Sequence, residues 1–244
     1  MPAPMPAPMP VPMPVPMPEP GPTQPVRVWD LPTRIFHWLL ASTLVGSVLS
    51  ALIGGNAMVW HVRCGLVVLA LLLFRVIWGF VGGRWSRFAS FLFAPATVLR
   101  YARGQVRENE QLDVGHNPLG SLSVFALLAL LALQVATGLV ADDEIATTGP
   151  LNRFVSSANG LLATSWHTQV GKVLVLVLVA LHVGAIAFYF FRKKINLVRP
   201  MLSGDKNLPP TTPASRDGWG PRLLALLLAL ACAAVALWVA RLAA

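Results

Sequence analysis

The chain has 244 residues, 55% of them hydrophobic and only 12% charged, and its mean hydropathy is +0.64. Those values exclude an ordinary soluble domain and place most of the chain in a lipid bilayer. The net charge of +9 would suit nucleic acid only if the cations formed one surface, and they segregate by loop instead, so no nucleic-acid partner is expected.

Residues 1–25 read "MPAPMPAPMPVPMPVPMPEPGPTQP". Proline at nearly every second position blocks helix and central strand alike, which predicts a disordered, polyproline-like tail. No basic segment precedes an apolar one, so a signal peptide is not expected. The recurrent methionines invite copper, a soft metal, but repeat slippage explains them more simply.

Five apolar runs are long enough for a hydrocarbon core of about 30 Å, which takes about 20 helical residues. The first, Ile35–Ile53, follows Asp30 as helix cap and Pro32 in the first turn, which puts His37 inside the membrane near one face. The second, Ala57–Val81, carries His61 near its start, Gly65 one turn later and Arg75 further along. A stretch rich in Trp, Phe, Leu and Arg, "RWSRFASFLFAPATVLRYARGQ", then reads as an interfacial helix rather than a span. His116 precedes the third run, Leu119–Ala141, in a loop where a solvated histidine is the expectation, with a propionate or quinone carbonyl as the other possible contact. Asp142, Asp143 and Glu144 follow as an acidic turn that is either simply solvated or a dock for a basic redox partner.

The fourth run, Trp166–Phe191, begins with His167, Gly171 and Lys172 and carries His182 deeper in. Residues 202–220 are rich in Pro, Ser, Thr and Gly and read as a linker. It leads to a fifth run, Leu223–Ala240, within a terminal helix at 221–244 that holds no histidine. The runs are continuous and rich in Leu and Ala, which argues against barrel strands. Cys64 and Cys232 fall within spans without the spacing of a haem-attachment or redox motif, so both read as small buried side chains.

Basic residues crowd before span one, between two and three, and between four and five, while the alternate loops nearly lack them. The positive-inside rule then makes the N-terminus cytoplasmic and the C-terminus external. With that topology the helical rise sorts four histidines by depth. His182 lies 15 residues beyond His167, about 22 Å along the helix and about 60° around it. His37 therefore pairs with His182 at the basic level, and His61 with His167 at the acidic one. Ionisable groups inside membranes are costly and usually functional. Two couples of neutral imidazoles on facing helices suit two stacked, non-covalent haems, each iron held axially from both sides. Gly65 and Gly171, one turn after His61 and His167, would clear space for a flat macrocycle. Arg75 reaches the basic level, where it either meets a haem propionate or snorkels to the interface, and Lys172 has the same choice at the other level. Zinc fits less well, since it takes three or four ligands.

"RVWDLPTRIFHWLL", "LLLFRVIWGFVG", "GHNPLGSL", "DDEIATTGPL", "WHTQVGKVLVLVLVALHV" and "NLVRPMLSG" together resemble the bacterial cytochrome b561 and nickel–iron hydrogenase b-type cytochrome family over about Val26–Met201. The resemblance implies an all-α, four-helix transmembrane haem bundle over 26–201, with two haem b groups held by histidines at the positions of His37, His61, His167 and His182. It also implies electron exchange with membrane quinone. The tail and the fifth helix depart from the family pattern. The expected function is a dihaem cytochrome b, an electron-transfer subunit without self-contained catalysis, linking the quinone pool to a hydrogenase, another dehydrogenase, a cytochrome c or superoxide. The alternative is a haem-free transporter or assembly subunit whose histidines relay protons or carry a metal.

Overall fold

The computed structural model describes residues 22–107, 110 and 112–242; the Met-Pro repeat at 1–21 lies outside them. Among the described residues five helices are long and apolar enough to cross a membrane: Leu31–Ile53, Gly55–Val81, Pro118–Val140, Ser157–Arg192 and Trp219–Arg241. Their outward faces carry Leu52, Phe80, Leu162, Leu181, Leu223 and Trp238, all well exposed, as lipid-facing side chains are.

Helix α1 (Leu31–Ile53) starts where the sequence places its cap: Asp30 accepts from the Thr33 amide at 2.8 Å, and proline occupies the first turn. It stops at Gly54, whose φ of 69° is a left-handed value that favours glycine. Helix α2 (Met58–Val81) returns antiparallel after a single tight turn at Gly55–Ala57. Two further tight turns, Arg84–Ser86 and Phe88–Ser90, and the short helix α3 (Pro95–Ala102) make up the segment expected to be interfacial. Helix α4 (Pro118–Val140) is capped by Asn117, which accepts from the Gly120 amide at 2.7 Å.

The fourth span begins earlier than its hydropathy indicates. Ser156 caps α5 (Ser157–Ser165), and this polar first segment runs on through a wide π-helical turn at Trp166–Gly171 into α6 (Lys172–Arg192). The π turn holds one residue more than an α turn, which moves His182 from about +60° to about −40° relative to His167. Both still face one side.

The expected linker at 202–220 is ordered structure. After the short helix α7 (Val198–Ser203), strand β2 (Asp205–Leu208) pairs antiparallel with β1 (Gln24–Arg27), with Val26 opposite Lys206. The Ser215 hydroxyl donates to the Val28 carbonyl at 2.7 Å, and the Trp85 indole donates to the Pro213 carbonyl at 2.8 Å. Arg27 binds Asp205 at 2.7 Å and Asp217 at 2.5 Å, and Arg222 reaches Asp217 at 3.1 Å. Pro, Ser and Thr here make turns that close over the basic end of the bundle instead of a flexible tether. Helix α8 (Trp219–Arg241) then packs Ala225 and Cys232 against Phe36, Phe74 and Trp78 of α1 and α2. Small residues let the backbones approach closely without a hydrophobic drive from water. A second cluster, Val68, Leu72, Leu131 and Val175, joins α2, α4 and α6 between the two histidine levels.

Candidate functional site

The helices bring the four span histidines together as two couples. His37 on α1 faces His182 on α6 with ring centroids 6.4 Å apart and planes at 50°. His61 on α2 faces His167 in the π turn at 5.8 Å and 88°. Two imidazoles bonded to opposite sides of one metal at about 2 Å, each ring nitrogen about 1 Å from its centroid, would stand about 6 Å apart. Both couples match that spacing. Among the described residues no three His, Cys, Asp or Glu side chains converge as a zinc-type cluster would require.

The two ends differ in how their rings are held. At the acidic end, His61 Nδ1 lies 2.9 Å from the Ser47 carbonyl and His167 Nδ1 lies 2.8 Å from the Gln134 carbonyl. A carbonyl only accepts, so each Nδ1 carries the proton and each Nε2 keeps the lone pair that a metal needs. Both rings line a cavity of about 450 Å³, within the range of cofactor sites. Gly65 lines it, with nothing within 4 Å of the place a Cβ would take, so this glycine does open space beside His61. Gly171 does not line the cavity: it is buried against the Gln134 amide and the Trp166 indole, so the space its missing Cβ leaves is filled by protein. Gly138, which also lines the cavity, gives the His167 ring its room, since a Cβ there would come within 2.8 Å of His167 Cε1. Lys172 lines the cavity from an exposed position.

At the basic end the rings lack such partners. His37 Nδ1 and Arg75 Nη1 are both buried without a hydrogen bond. Arg75 does not snorkel: it is 2% exposed, held 4.8 Å from the Phe88 ring centroid and 6.0 Å from that of Phe36. A buried guanidinium with a free N–H is costly unless an anion completes it, and a carboxylate such as a haem propionate has the required charge and geometry. His116, expected in solvent, instead packs against Phe91 at 4.5 Å and Trp29 at 4.7 Å with its Nδ1 sealed from water. Burial, with the charges of Arg75 and Lys206 adding to it, pushes its pKa down to about 3. It is therefore neutral, packed between the Phe91 and Trp29 rings. Asp143, in the acidic turn, is wrapped by the amides of Ile145, Ala146 and Thr147 at 3.0, 2.9 and 2.8 Å. Cys64 and Cys232 are free thiols, partly and fully buried, and join neither couple.

Sequence reasoning missed Ser47, Gln134, Gly138 and the burial of His116. Gln134 left a signal: it is an amide in the middle of "LLALQVATG", where a span normally has none. Ser47 and Gly138 left none, because ring-orienting carbonyls and clearance for a facing ring depend on which helices meet.

A bundle of lipid-facing helices that brings imidazoles together in pairs across its interior has the architecture of a membrane protein that holds a cofactor by histidine. A profile for prokaryotic cytochrome b561 matches residues 28–204. The chain belongs to the prokaryotic cytochrome b561 family, and is a membrane b-type cytochrome of electron transfer whose cofactor is haem b. It is similar to the probable Ni/Fe-hydrogenase 1 B-type cytochrome subunit of Escherichia coli strain K12, 25% identical over 174 residues that cover 57% of this chain and 73% of that one. The probable Ni/Fe-hydrogenase B-type cytochrome subunit of Bradyrhizobium diazoefficiens is 23% identical over 214 residues, 74% of this chain and 85% of that protein. The corresponding subunit of Rhizobium leguminosarum bv. viciae is 25% identical over 218 residues, 75% and 89% of the two chains. No solved structure matches the chain.

Proposed function

We propose that this cytochrome holds two haem b groups, one between His37 and His182 and one between His61 and His167, and carries electrons across the bilayer between quinone and a redox partner. The observation that carries this reading is the spacing of both ring couples, 6.4 and 5.8 Å, at two levels of one bundle. When bound, haem supplies reversible one-electron iron chemistry. The protein supplies the rest. The four imidazoles would hold one haem at each level, two to each, and leave no iron position open for oxygen. Gly65 and Gly138 leave room, Arg75 at one level and Lys172 at the other offer charge to propionates, and the Val68, Leu72, Leu131 and Val175 layer keeps water from the gap between levels.

The topology belongs to the same reading: the basic loops lie in the cytoplasm, with the N-terminus cytoplasmic and the C-terminus periplasmic in the bacterial inner membrane. Quinone exchanges electrons at the basic end. There Asn117 donates to the Tyr189 hydroxyl at 2.9 Å, the Tyr189 and Tyr101 hydroxyls lie 3.3 Å apart, and Tyr101 donates to Asp113 at 2.9 Å. That chain of exchangeable protons suits a reaction that takes up protons with its electrons. Since the relatives are named as hydrogenase cytochrome subunits, a nickel–iron hydrogenase is the partner at the acidic end. Pyridine-haem quantification tests the reading. Two haems per chain, falling to one in His61→Ala and in His182→Ala, is the expected result; a colourless protein would favour a haem-free histidine relay instead.

A further inference from the structure

We propose that Gln134 is the positioning residue of the His61–His167 couple, and that residue 171 is glycine to admit the Gln134 side chain rather than the edge of a macrocycle. The inference rests on the ligand assignment above and adds what fixes one of those ligands. Gln134 engages His167 twice. Its backbone carbonyl takes the ring proton, with 2.8 Å between His167 Nδ1 and the oxygen, and its side-chain Nε2 donates to the His167 carbonyl at 2.8 Å. The first contact aims the ring and the second pins the backbone that bears it.

The π turn is the weak point that this second contact secures. Across Trp166–Gly171 the amides reach back five residues, and the Lys172 N–H closes on the His167 carbonyl in that wide register. Such turns hold their backbone less tightly than an α-helix and occur mostly as single-turn insertions. A ligand placed in one needs an outside tether, and α4 provides it through an amide that membrane spans seldom carry. The tether needs room. A Cβ at Gly171 would overlap Gln134 Oε1 and come within 3.0 Å of Trp166 Nε1. Gln134 Oε1 and Trp166 Nε1 are themselves buried without partners. Both crowd the notch left by the missing side chain, an acceptor beside a donor.

Hydrogen bonding at Nδ1 makes an imidazole a more basic ligand, which favours the ferric state. Loosening His167 therefore raises the midpoint of the haem it serves. Gln134→Met keeps the length of the side chain and removes both polar groups. In the full-length protein in detergent it retains two haems, shifts the ferric low-spin EPR signal of one, and raises that haem's midpoint. A tenfold change in the one-electron equilibrium would be about 59 mV. Gly171→Ala produces a shift of the same haem in the same direction. In a Gln134→Ala background, Gly171→Ala adds nothing further, because the space is already empty.

His167→Ala and His37→Ala serve as controls, each expected to lose one haem. If the controls lose none, the ligand assignment fails and the clamp with it. If they lose one each while Gln134→Met leaves both midpoints and both EPR signals unchanged, the clamp is overturned and the ligand assignment stands. If Gly171→Ala expels a haem whatever residue occupies 134, Gly171 clears the cofactor and the second half of the proposal is overturned.

Discussion

Asp30 is fully buried, and its carboxylate accepts from the Thr33 amide at 2.8 Å, the Gly83 amide at 2.9 Å, the Ser86 hydroxyl at 2.7 Å and the Trp78 indole at 3.2 Å. One side chain thus caps α1 and locks the loop that follows α2, which sets the two helices carrying His37, His61 and Arg75 against each other. Asp30→Ala loses the cap and leaves three buried donors unmatched, so it should cost about 2–5 kcal/mol, measured as a fall in the thermal midpoint in detergent. The cap was legible in "WDLPTR" from residue types alone; its other three partners were not, because they lie some 50 positions away. The histidine couples were legible for a different reason: helical rise converts sequence spacing into depth. Rotation about the helix is less secure: Gly171, one turn after His167 in sequence, closes a π turn and faces Gln134. Arg75→Leu leaves the basic-end site without its buried cation. The midpoint of one haem should fall, on the order of 60 mV for a tenfold change in the one-electron equilibrium, and equal midpoints in variant and parent would remove Arg75 from the site.

Elements follow the same division between local and distant causes. Spans α1, α2 and α4 sit close to where hydropathy places them, whereas the fourth span gains α5 because Ser, Asn and Thr lower the local hydropathy without stopping a helix that Ser156 caps. The segment at 202–220 has the composition of a linker, and only its pairing with Gln24–Arg27 makes part of it a strand; composition cannot report a partner 180 residues away. Helix α8 is attached to the bundle rather than tethered beside it. Cys232→Phe overpacks its contact with Phe36, Phe74 and Trp78, at a cost of roughly 1–3 kcal/mol. Haem content should be unchanged, since both couples lie on other helices, and loss of absorbance together with stability would show α8 shaping a site. In the acidic turn, the amides of Thr147, Ile145 and Ala146 hold the Asp143 carboxyl down at about 2, below its usual value of about 4. A carboxyl depressed in the folded state stabilises the turn above pH of about 4, and the contribution is lost as pH falls from there towards about 2. Protection factors of the Ile145–Thr147 amides, with the intrinsic pH dependence of exchange divided out, should fall over that window in the parent and show no such step in Asp143→Ala.

Among the described residues, apolar helices carry polar groups at two levels, with a packed apolar layer of Val68, Leu72, Leu131 and Val175 between them. The class of fold follows from hydropathy and the family from its motifs, but the asymmetry of the levels emerges only in three dimensions. At the acidic end both rings donate to backbone carbonyls, while at the basic end His37 Nδ1 and Arg75 Nη1 are buried without a hydrogen bond. Both levels are the proposed haem sites. Spectroelectrochemical titration of the purified protein, with haem counted per chain in parent, His61→Ala and His182→Ala, tests that claim most directly. The prediction is two haems with separate midpoints in the parent, and in each variant the loss of one haem with the other's midpoint recognisable. A parent that carries a single haem, or variants that keep both haems with unaltered midpoints, would contradict it.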